Sequence, residues 1–246
     1  MADILAIAAH PDDLELNIAG TLIKSAESGR TVALCDLTRG ERGTRGSAKL
    51  RAEETAQASR IMGVDDADRW NLGLPDGGIA VTDQSVLEVV TVLRHFRPKV
   101  LLFPWERDRH PDHERAHELV RRAYFDAGLR HVETRWNGEK QAPHRPERLY
   151  TFMQSYERTP DFIVDITAQF ERKLDAIAAY SSQFTIPGRT PATSSNEPET
   201  FISAPDFMEF AIARMRHWGF MIGTRYGEGF CTVSGPVKID DLVATV

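Results

Sequence analysis

Cysteine is nearly absent from the 246-residue chain, which contains only Cys35 and Cys231. Two cysteines give no disulfide framework, so a reducing cytoplasm is the expected compartment. The opening MADILAIAAHPDD lacks a basic start, and charges interrupt its apolar run, so we predict no signal peptide. No apolar stretch approaches the ~18 residues that a membrane helix needs, and we therefore expect no membrane partner.

Positive charge is also in deficit, because 30 Lys and Arg residues against 36 Asp and Glu residues give a net charge of −6. This balance argues against a nucleic-acid partner. The 41% hydrophobic and 27% charged residues are typical of a globular chain. Its length suits one large α/β domain or two small ones, and we predict a single domain over residues 1–246. Residues 185–203 are rich in Pro, Ser and Thr and predict a long flexible loop.

Apolar runs alternate with helical patterns along most of the chain. The runs predict strands over 3–9, 31–38, 99–105, 148–153, 162–166 and 228–233, with a further short strand within 68–78. The helical patterns cover 16–30, 48–63, 84–96, 113–128, 168–184 and 204–223. Strands that alternate with helices predict a parallel sheet with helices on both faces, in which ligands bind at the carboxyl ends of the strands.

The tripeptide His-Pro-Asp occurs twice, in AAHPDDLEL (8–16) and in DRHPDHERAH (108–117). Each copy follows a predicted strand, so both are expected at the same edge of the sheet. A dinucleotide-binding fold would place glycines after the first strand to approach a pyrophosphate. This chain places Asp12, Asp13 and Glu15 there instead, and these carboxylates would repel phosphate and attract a divalent cation.

Imidazole and carboxylate together suit a catalytic zinc, which takes three protein ligands and leaves a position open. His10 and Asp13 are three residues apart at a helix start and share a face, and His113 and His117 are four apart on a helix. The candidate ligands are His10, Asp12, Asp13, His110, Asp112, His113 and His117.

The motifs AHPDDLEL, LTRGERGTRG, LRAEE, LGLPDGG, HPDH and YGEGF together resemble the LmbE-like, or PIG-L-type, zinc-dependent N-acetylglucosaminyl deacetylases. Within that family the chain most resembles the bacillithiol-pathway enzymes that deacetylate N-acetylglucosaminyl malate. The resemblance covers most of the chain. It implies a Rossmann-like three-layer sandwich, one Zn²⁺ per chain with Fe²⁺ as the alternative, a small sugar substrate, and a homo-oligomer, a trimer or a hexamer.

The resemblance also implies roles for individual residues. His10, Asp13 and His113 correspond to the zinc ligands, Asp12 to the general base, and His110 to the group that faces the developing oxyanion. Asp112 corresponds to a residue that contacts a metal-binding side chain and does not bind the metal itself. For Asp12, the alternative interpretation is a helix N-cap.

Arginines near the same edge suggest an anionic group on the substrate, because guanidinium pairs with carboxylate through two parallel hydrogen bonds. Arg51 and Arg109 are the predicted substrate-binding residues. For Arg39, Arg42 and Arg45 two interpretations stay open, contact with the substrate or a place in a solvated loop. Further candidates for the pocket are Asp76, Arg145 and Tyr180. Cys35 is expected in the core.

Three functions fit these observations. The first is hydrolysis of the acetamide of N-acetylglucosaminyl malate. The second is the same chemistry, as a deacetylase or an amidase, on a chitobiose-type sugar or a thiol conjugate. The third is a metal-containing sugar-binding protein without turnover.

Overall fold

The computed structural model of the chain describes residues 1–190, 197–233 and 235. Its strands are β1 (Ile4–Ala8), β2 (Val32–Thr38), β3 (Arg69–Leu74), β4 (Val100–Pro104), β5 (Arg135–Trp136), β6 (Glu139–Lys140), β7 (Arg148–Phe152), β8 (Phe162–Asp165) and β9 (Gly227–Thr232). Its α-helices are α1 (Asp13–Glu27), α2 (Ala48–Met62), α3 (Asp83–Phe96), α4 (Pro111–Ala127), α5 (Phe170–Ala178) and α6 (Pro205–Met221). Among the described residues, no helix combines the length and the apolar character required to cross a bilayer.

The main sheet has the order β3-β2-β1-β4-β7-β9-β8. The first five strands in this order pair in parallel, for example Ile4 with Val32 and with Val100. The strand β9 is antiparallel to both of its neighbours. The predicted mostly parallel sheet is therefore confirmed.

Helices cover both faces of the sheet, as predicted, because side chains alternate along each strand. Leu5 and Ile7 of β1 pack in one core cluster with residues of α3 and α4. Ala6 and Ala8 face the other way, toward α1. The α/β three-layer architecture follows from this alternation.

The structure differs from the predicted elements at two places. The helix expected over 168–184 ends at Ala178, since the amide of Ser182 donates to Glu54 Oε1 (2.8 Å) instead of continuing the helical pattern. The hairpin β5–β6 is not among the predicted elements. Its turn has positive φ at Asn137 (49°) and Gly138 (84°), the conformation that favours Asn-Gly.

Part of the predicted flexible loop, residues 191–196, lies outside the described residues. In the flanking parts, Ile186 is buried, and the amide of Thr200 donates a hydrogen bond to Ser203 Oγ (2.8 Å). The mobility of 185–203 remains a prediction.

A buried ion pair connects the last strand to two helices. Lys173 Nζ of α5 lies 2.6 Å from Glu228 Oε1 of β9, and both side chains are fully buried. The Glu228 carboxylate also accepts hydrogen bonds from the amides of Gly20 (2.9 Å) and Thr21 (2.7 Å) of α1. Glu228 thus joins α1, α5 and β9.

Candidate active site

Polar side chains gather where the parallel strands end. His10 follows β1, Asp76 follows β3, His110 follows β4 and Gln154 follows β7. These residues line one cavity of about 530 Å³. It lies beside β1 and β4, where the strand order reverses, which is the expected ligand position in such a sheet.

The chain changes direction sharply between β1 and α1. Asp12 has a left-handed backbone (φ 107°), and α1 begins at the next residue. This turn brings Asp13 back toward His10, so that Asp13 Oδ2 accepts a hydrogen bond from the His10 amide (2.9 Å) and lies 3.5 Å from His10 Nδ1. Backbone strain of this kind is concentrated at functional sites.

Asp13 also meets the second His-Pro-Asp segment. Its Oδ1 lies 3.3 Å from His113 Nε2, and His113 Nδ1 lies 2.8 Å from Asp108 Oδ1. Burial lowers the pKa of His113, but the charge of Asp13 and the hydrogen bond with Asp108 outweigh this effect and raise the pKa to about 9. The structure thus brings together His10, Asp13 and His113, the three ligands implied by the resemblance.

The donor set fits a divalent metal. Ligand atoms of His10, His110 and His113 lie within 4.8 Å of one another, as do those of His10, Asp76 and Asp112. Asp13 lies between His10 and His113, and nitrogen with carboxylate oxygen suits zinc or iron. Asp108 behind His113 matches the usual partner of a metal-binding imidazole, whose free N–H donates to a carboxylate.

Carboxylates surround the other side of His10. His10 Nε2 lies 3.2 Å from Asp76 Oδ1 and 3.2 Å from Asp112 Oδ2. Asp112 also accepts hydrogen bonds from the amides of Gly77 (2.7 Å) and Ile79 (3.2 Å). Burial lowers the pKa of His10, but the carboxylate neighbours outweigh this effect and hold it well above its ordinary value.

Asp12 lies beside this cluster as a carboxylate without a capping role. It occupies the N-cap position of α1, but its side chain makes no capping hydrogen bond. Burial raises its pKa to about 7, and the nearby Arg51 guanidinium opposes the rise. A buried carboxylate with a pKa near neutrality is suited to general-base chemistry.

His110 packs against both other imidazoles, with ring centroids 4.7 Å from His10 and 4.9 Å from His113. Burial lowers its pKa, and the charges of the same two neighbours lower it further. Its Nδ1 accepts a hydrogen bond from the Asp112 amide (3.2 Å), so a neutral ring carries its proton on Nε2. A neutral His110 can therefore still donate a hydrogen bond.

The two predicted substrate-binding arginines line the cavity in different ways. Arg51 is buried, and its Nη1 donates to Pro11 O (2.7 Å) and lies 3.2 Å from Asp12 Oδ2. Arg109 is exposed, with its guanidinium carbon 4.5 Å from the centroid of the Phe201 ring. Arg51 thus contacts the residue implied as the base, and Arg109 is open to a ligand.

Several other candidates lie elsewhere. His117 Nδ1 lies 2.9 Å from Pro104 O, and His117 lines a separate open groove of about 850 Å³ beside α4, so it does not join the other candidate ligands. Tyr180 is fully buried and its hydroxyl contacts Arg69 and Thr55. Arg145 donates to Phe125 O (2.7 Å). Tyr180 and Arg145 are therefore wrong as pocket residues, whereas Asp76 and Arg42 line the cavity.

Two residues of the site are not among the sequence candidates. Asp108 orients His113, and its Oδ2 accepts from the Ser155 amide (2.7 Å). Gln154 donates from Nε2 to Asp13 Oδ1 (2.6 Å). Gln154 had a usable signal, since it is a polar residue directly after a predicted strand.

Part of the cavity wall is apolar. It is formed by the segment after α5 and by α6. Its members are Phe184, Phe201, Ile202, Phe207, Phe210 and Ala211. The cavity therefore combines charged and imidazole side chains, which include the candidate metal ligands, with an apolar surface that can contact a ring.

Comparison with known proteins gives consistent matches. The family profile of PIG-L, GlcNAc-PI de-N-acetylase, matches residues 5–124. The chain is 30% identical over 242 residues to the diacetylchitobiose deacetylase of Thermococcus kodakarensis, covering 94% of this chain and 83% of that protein. It is 27% identical over 234 residues to a 1D-myo-inositol 2-acetamido-2-deoxy-alpha-D-glucopyranoside deacetylase of Nocardiopsis dassonvillei, covering 81% and 76%. Among solved structures, the conserved protein TT1542 of Thermus thermophilus has a TM-score of 0.83 and 37% identity over 98% of each chain.

Proposed function

Because this chain belongs to the PIG-L deacetylase family, we propose that it is a zinc-dependent hydrolase that deacetylates N-acetylglucosaminyl malate. The observation that carries the proposal is the convergence of Asp12, Asp13, His10, His110 and His113 on one cavity. Both relatives with named activities are deacetylases of acetamido sugars. This supports the acetamide as the reacting group.

His10, Asp13 and His113 would hold the metal. When bound, zinc polarises an amide carbonyl and makes water at that position more acidic. Asp12 takes the proton of the attacking water and then delivers it to the leaving amine nitrogen. His110 donates a hydrogen bond to the oxyanion as it forms, an interaction that contributes roughly 3 kcal/mol in comparable sites.

Arg109 is the residue that supports a malate aglycone. Its guanidinium makes no hydrogen bond to any residue in the described part of the chain and lies over the Phe201 ring. Its N–H groups are thus open to a carboxylate at the mouth of the cavity. Arg51, which is buried, places a second positive charge in the lining of the same cavity.

A chitobiose-type sugar is the second candidate substrate. The 30% identity to a diacetylchitobiose deacetylase favours it. The apolar wall, with Phe207 and Phe210, offers a surface for a second sugar ring. A thiol conjugate belongs to the same candidate class. A sugar-binding protein without turnover is disfavoured, since Asp12 and His110, the residues implied in catalysis, are both present and line the cavity beside the implied metal ligands.

Acetate release from a panel of substrates tests the proposal. The panel contains N-acetylglucosaminyl malate, diacetylchitobiose, a thiol conjugate and the methyl glycoside of N-acetylglucosamine. Each is assayed with zinc, with Fe²⁺ and after chelation. We expect the highest kcat/KM on the malate conjugate and loss of activity on chelation. Preference for diacetylchitobiose would select the second candidate, and binding without acetate release would select the sugar-binding protein.

We also propose that the protein works in the cytoplasm and associates with copies of itself. Both cysteines are buried free thiols, as a reducing compartment allows. At the end of α6, Phe220 is 83% exposed and Met221 is also exposed, which supplies apolar surface for association. Light scattering of the purified protein measures the mass, and a trimer or a hexamer is expected.

A further inference from the structure

Four buried residues form a closed ring of hydrogen bonds behind Asp13. Gln154 Nε2 donates to Asp13 Oδ1 (2.6 Å), and Asn17 Nδ2 donates to Asp13 O (2.8 Å). Arg214 of α6 closes the ring, since it donates from Nη2 to Asn17 Oδ1 (2.9 Å) and from Nη1 to the backbone oxygen of Gln154. One guanidinium therefore holds both Gln154 and Asn17, each of which donates a hydrogen bond to Asp13.

Arg214 is a buried cation without a carboxylate partner in the described residues. It is 8% exposed, and burial lowers its pKa. The rings of Phe210 and Trp218 lie 5.9 and 5.2 Å from its guanidinium carbon. Burying an unpaired guanidinium costs free energy that an apolar side chain at this place would avoid. What only arginine supplies is two donors at a fixed angle, aimed at two acceptors.

The ring fixes the direction of the Asp13 carboxylate. Its Oδ1 is held by Gln154 and its Oδ2 by the His10 amide, so the group cannot rotate without losing a hydrogen bond. Gln154 in turn is held at its backbone by Arg214. Residues that orient a metal-binding carboxylate in this way set how tightly the metal is held.

We propose that Gln154 and Arg214 are positioning residues that set the metal affinity of the site, with Arg214 acting through Gln154 on Asp13. This inference rests on the metal assignment made under the proposed function. It explains why α6, far from Asp13 in the sequence, has a buried arginine at the site. It also assigns Gln154 a role that neither His-Pro-Asp motif indicates.

Zinc affinity of the metal-free protein tests the proposal without reference to turnover. The dissociation constant is measured by competition with a chromogenic chelator, and the melting midpoint of each metal-free variant is recorded beside it. The variants are Gln154→Leu, Arg214→Met and the double variant. Arg216→Met is the matched control, because Arg216 is an exposed arginine of the same helix whose guanidinium lies over the Tyr226 ring.

We expect Gln154→Leu and Arg214→Met each to weaken zinc binding by about 10- to 100-fold. The double variant should bind no more weakly than Gln154→Leu, since both changes act on one carboxylate. Arg216→Met should bind as the unaltered protein does. Gln154→Leu, which leaves the buried arginine in place, keeps the test informative if Arg214→Met fails to fold.

Unchanged zinc affinity in Gln154→Leu would overturn the proposal. So would a lower melting midpoint in Arg214→Met with normal affinity, which would make Arg214 a purely structural contact. Full addition of the two effects in the double variant would separate Arg214 from Gln154. Absence of zinc binding in the unaltered protein would overturn this inference and the metal assignment together, whereas normal zinc binding without acetate release would overturn only the deacetylase assignment.

Discussion

The Arg51 guanidinium holds the Asp12 segment at two points, since Nη1 binds Pro11 O at 2.7 Å and lies 3.2 Å from Asp12 Oδ2. Asp12 is one of few non-glycine residues in the described chain with positive φ, a conformation that costs about 1–3 kcal/mol. Arg51 reaches this position beside Gly40, where an added Cβ would lie 2.9 Å from Nη1. The strained turn therefore depends on an arginine from α2 and on a glycine that leaves room for it.

Replacing Asp12 by Asn should separate catalysis from metal binding. Asn is nearly isosteric but cannot take a proton from water, so we expect kcat to fall by roughly 10²- to 10⁴-fold. The zinc content should stay at the level of the unaltered protein. Acetate release and metal analysis on the same preparation check both statements, and near-normal turnover would remove Asp12 from the role of base.

Removing a ligand should remove the metal. Asp13→Ala and His113→Ala each take away one of three ligands, so neither variant should retain stoichiometric zinc after dialysis. His117→Ala is the control, because His117 lies one helical turn along α4 from His113 but contacts Pro104 in another cavity. Metal analysis decides the matter. Full zinc in either ligand variant, or loss of zinc in the control, would show that the ligand set is different.

Arg109→Ala tests the malate assignment. A charged hydrogen bond contributes about 1.5–3 kcal/mol, which corresponds to roughly a 10- to 150-fold loss in kcat/KM at 1.4 kcal/mol per decade. The loss should appear on the malate conjugate and mainly in KM, because the aglycone binds alike in the ground and transition states. The methyl glycoside should be affected much less.

The control for this comparison is Arg107→Ala, since Arg107 is exposed and lines a different groove. It should leave the kinetic constants for both substrates unchanged. Equal losses on the two substrates in Arg109→Ala would mean general damage and not anion recognition.

The Lys173–Glu228 pair makes a prediction about stability. Lys173→Met leaves a fully buried carboxylate without its cation, and we expect a loss of about 3–5 kcal/mol in the free energy of unfolding. Adding Glu228→Gln should recover part of it, because the charge is gone and an amide oxygen can still accept from Gly20. Urea unfolding measures all three proteins. If the free energy of unfolding of Lys173→Met lay within about 1 kcal/mol of that of the unaltered protein, this account would be contradicted.

Most of the sheet was predictable because its strands are continuous apolar runs that polar segments interrupt. Convergence of His10 and His113 was also predictable, since both follow parallel strands. The position of β9 between β7 and β8 was not, because pairing order depends on tertiary contacts and leaves no local pattern. The hairpin at Asn137 and Gly138 has a recognisable turn sequence, but no apolar run flanks the turn, so the pattern that marks the other strands is missing here.

Within the site, spacing alone could not distinguish His113 from His117. The two are one helical turn apart, yet α4 turns them into different cavities. Arg214 lies in a helical pattern that gives no sign of burial, and its role exists only through residues of α1 and of the segment after β7. The sequence also gives no sign of the role of Asp108, because Asp108 acts by orienting the His113 ring through a hydrogen bond.

The interior place of β9 also constrains the order in which the chain can assemble during synthesis. The strand β8, residues 162–165, joins the sheet through β9, residues 227–232. In a nascent chain, β8 and one edge of β7 therefore remain unpaired until β9, the last described strand, has left the ribosome. Unpaired edges of this kind invite pairing with other chains. Ribosome stalling or truncation before Gly227 should thus produce an aggregating species, even though every residue implied in zinc binding has already been made.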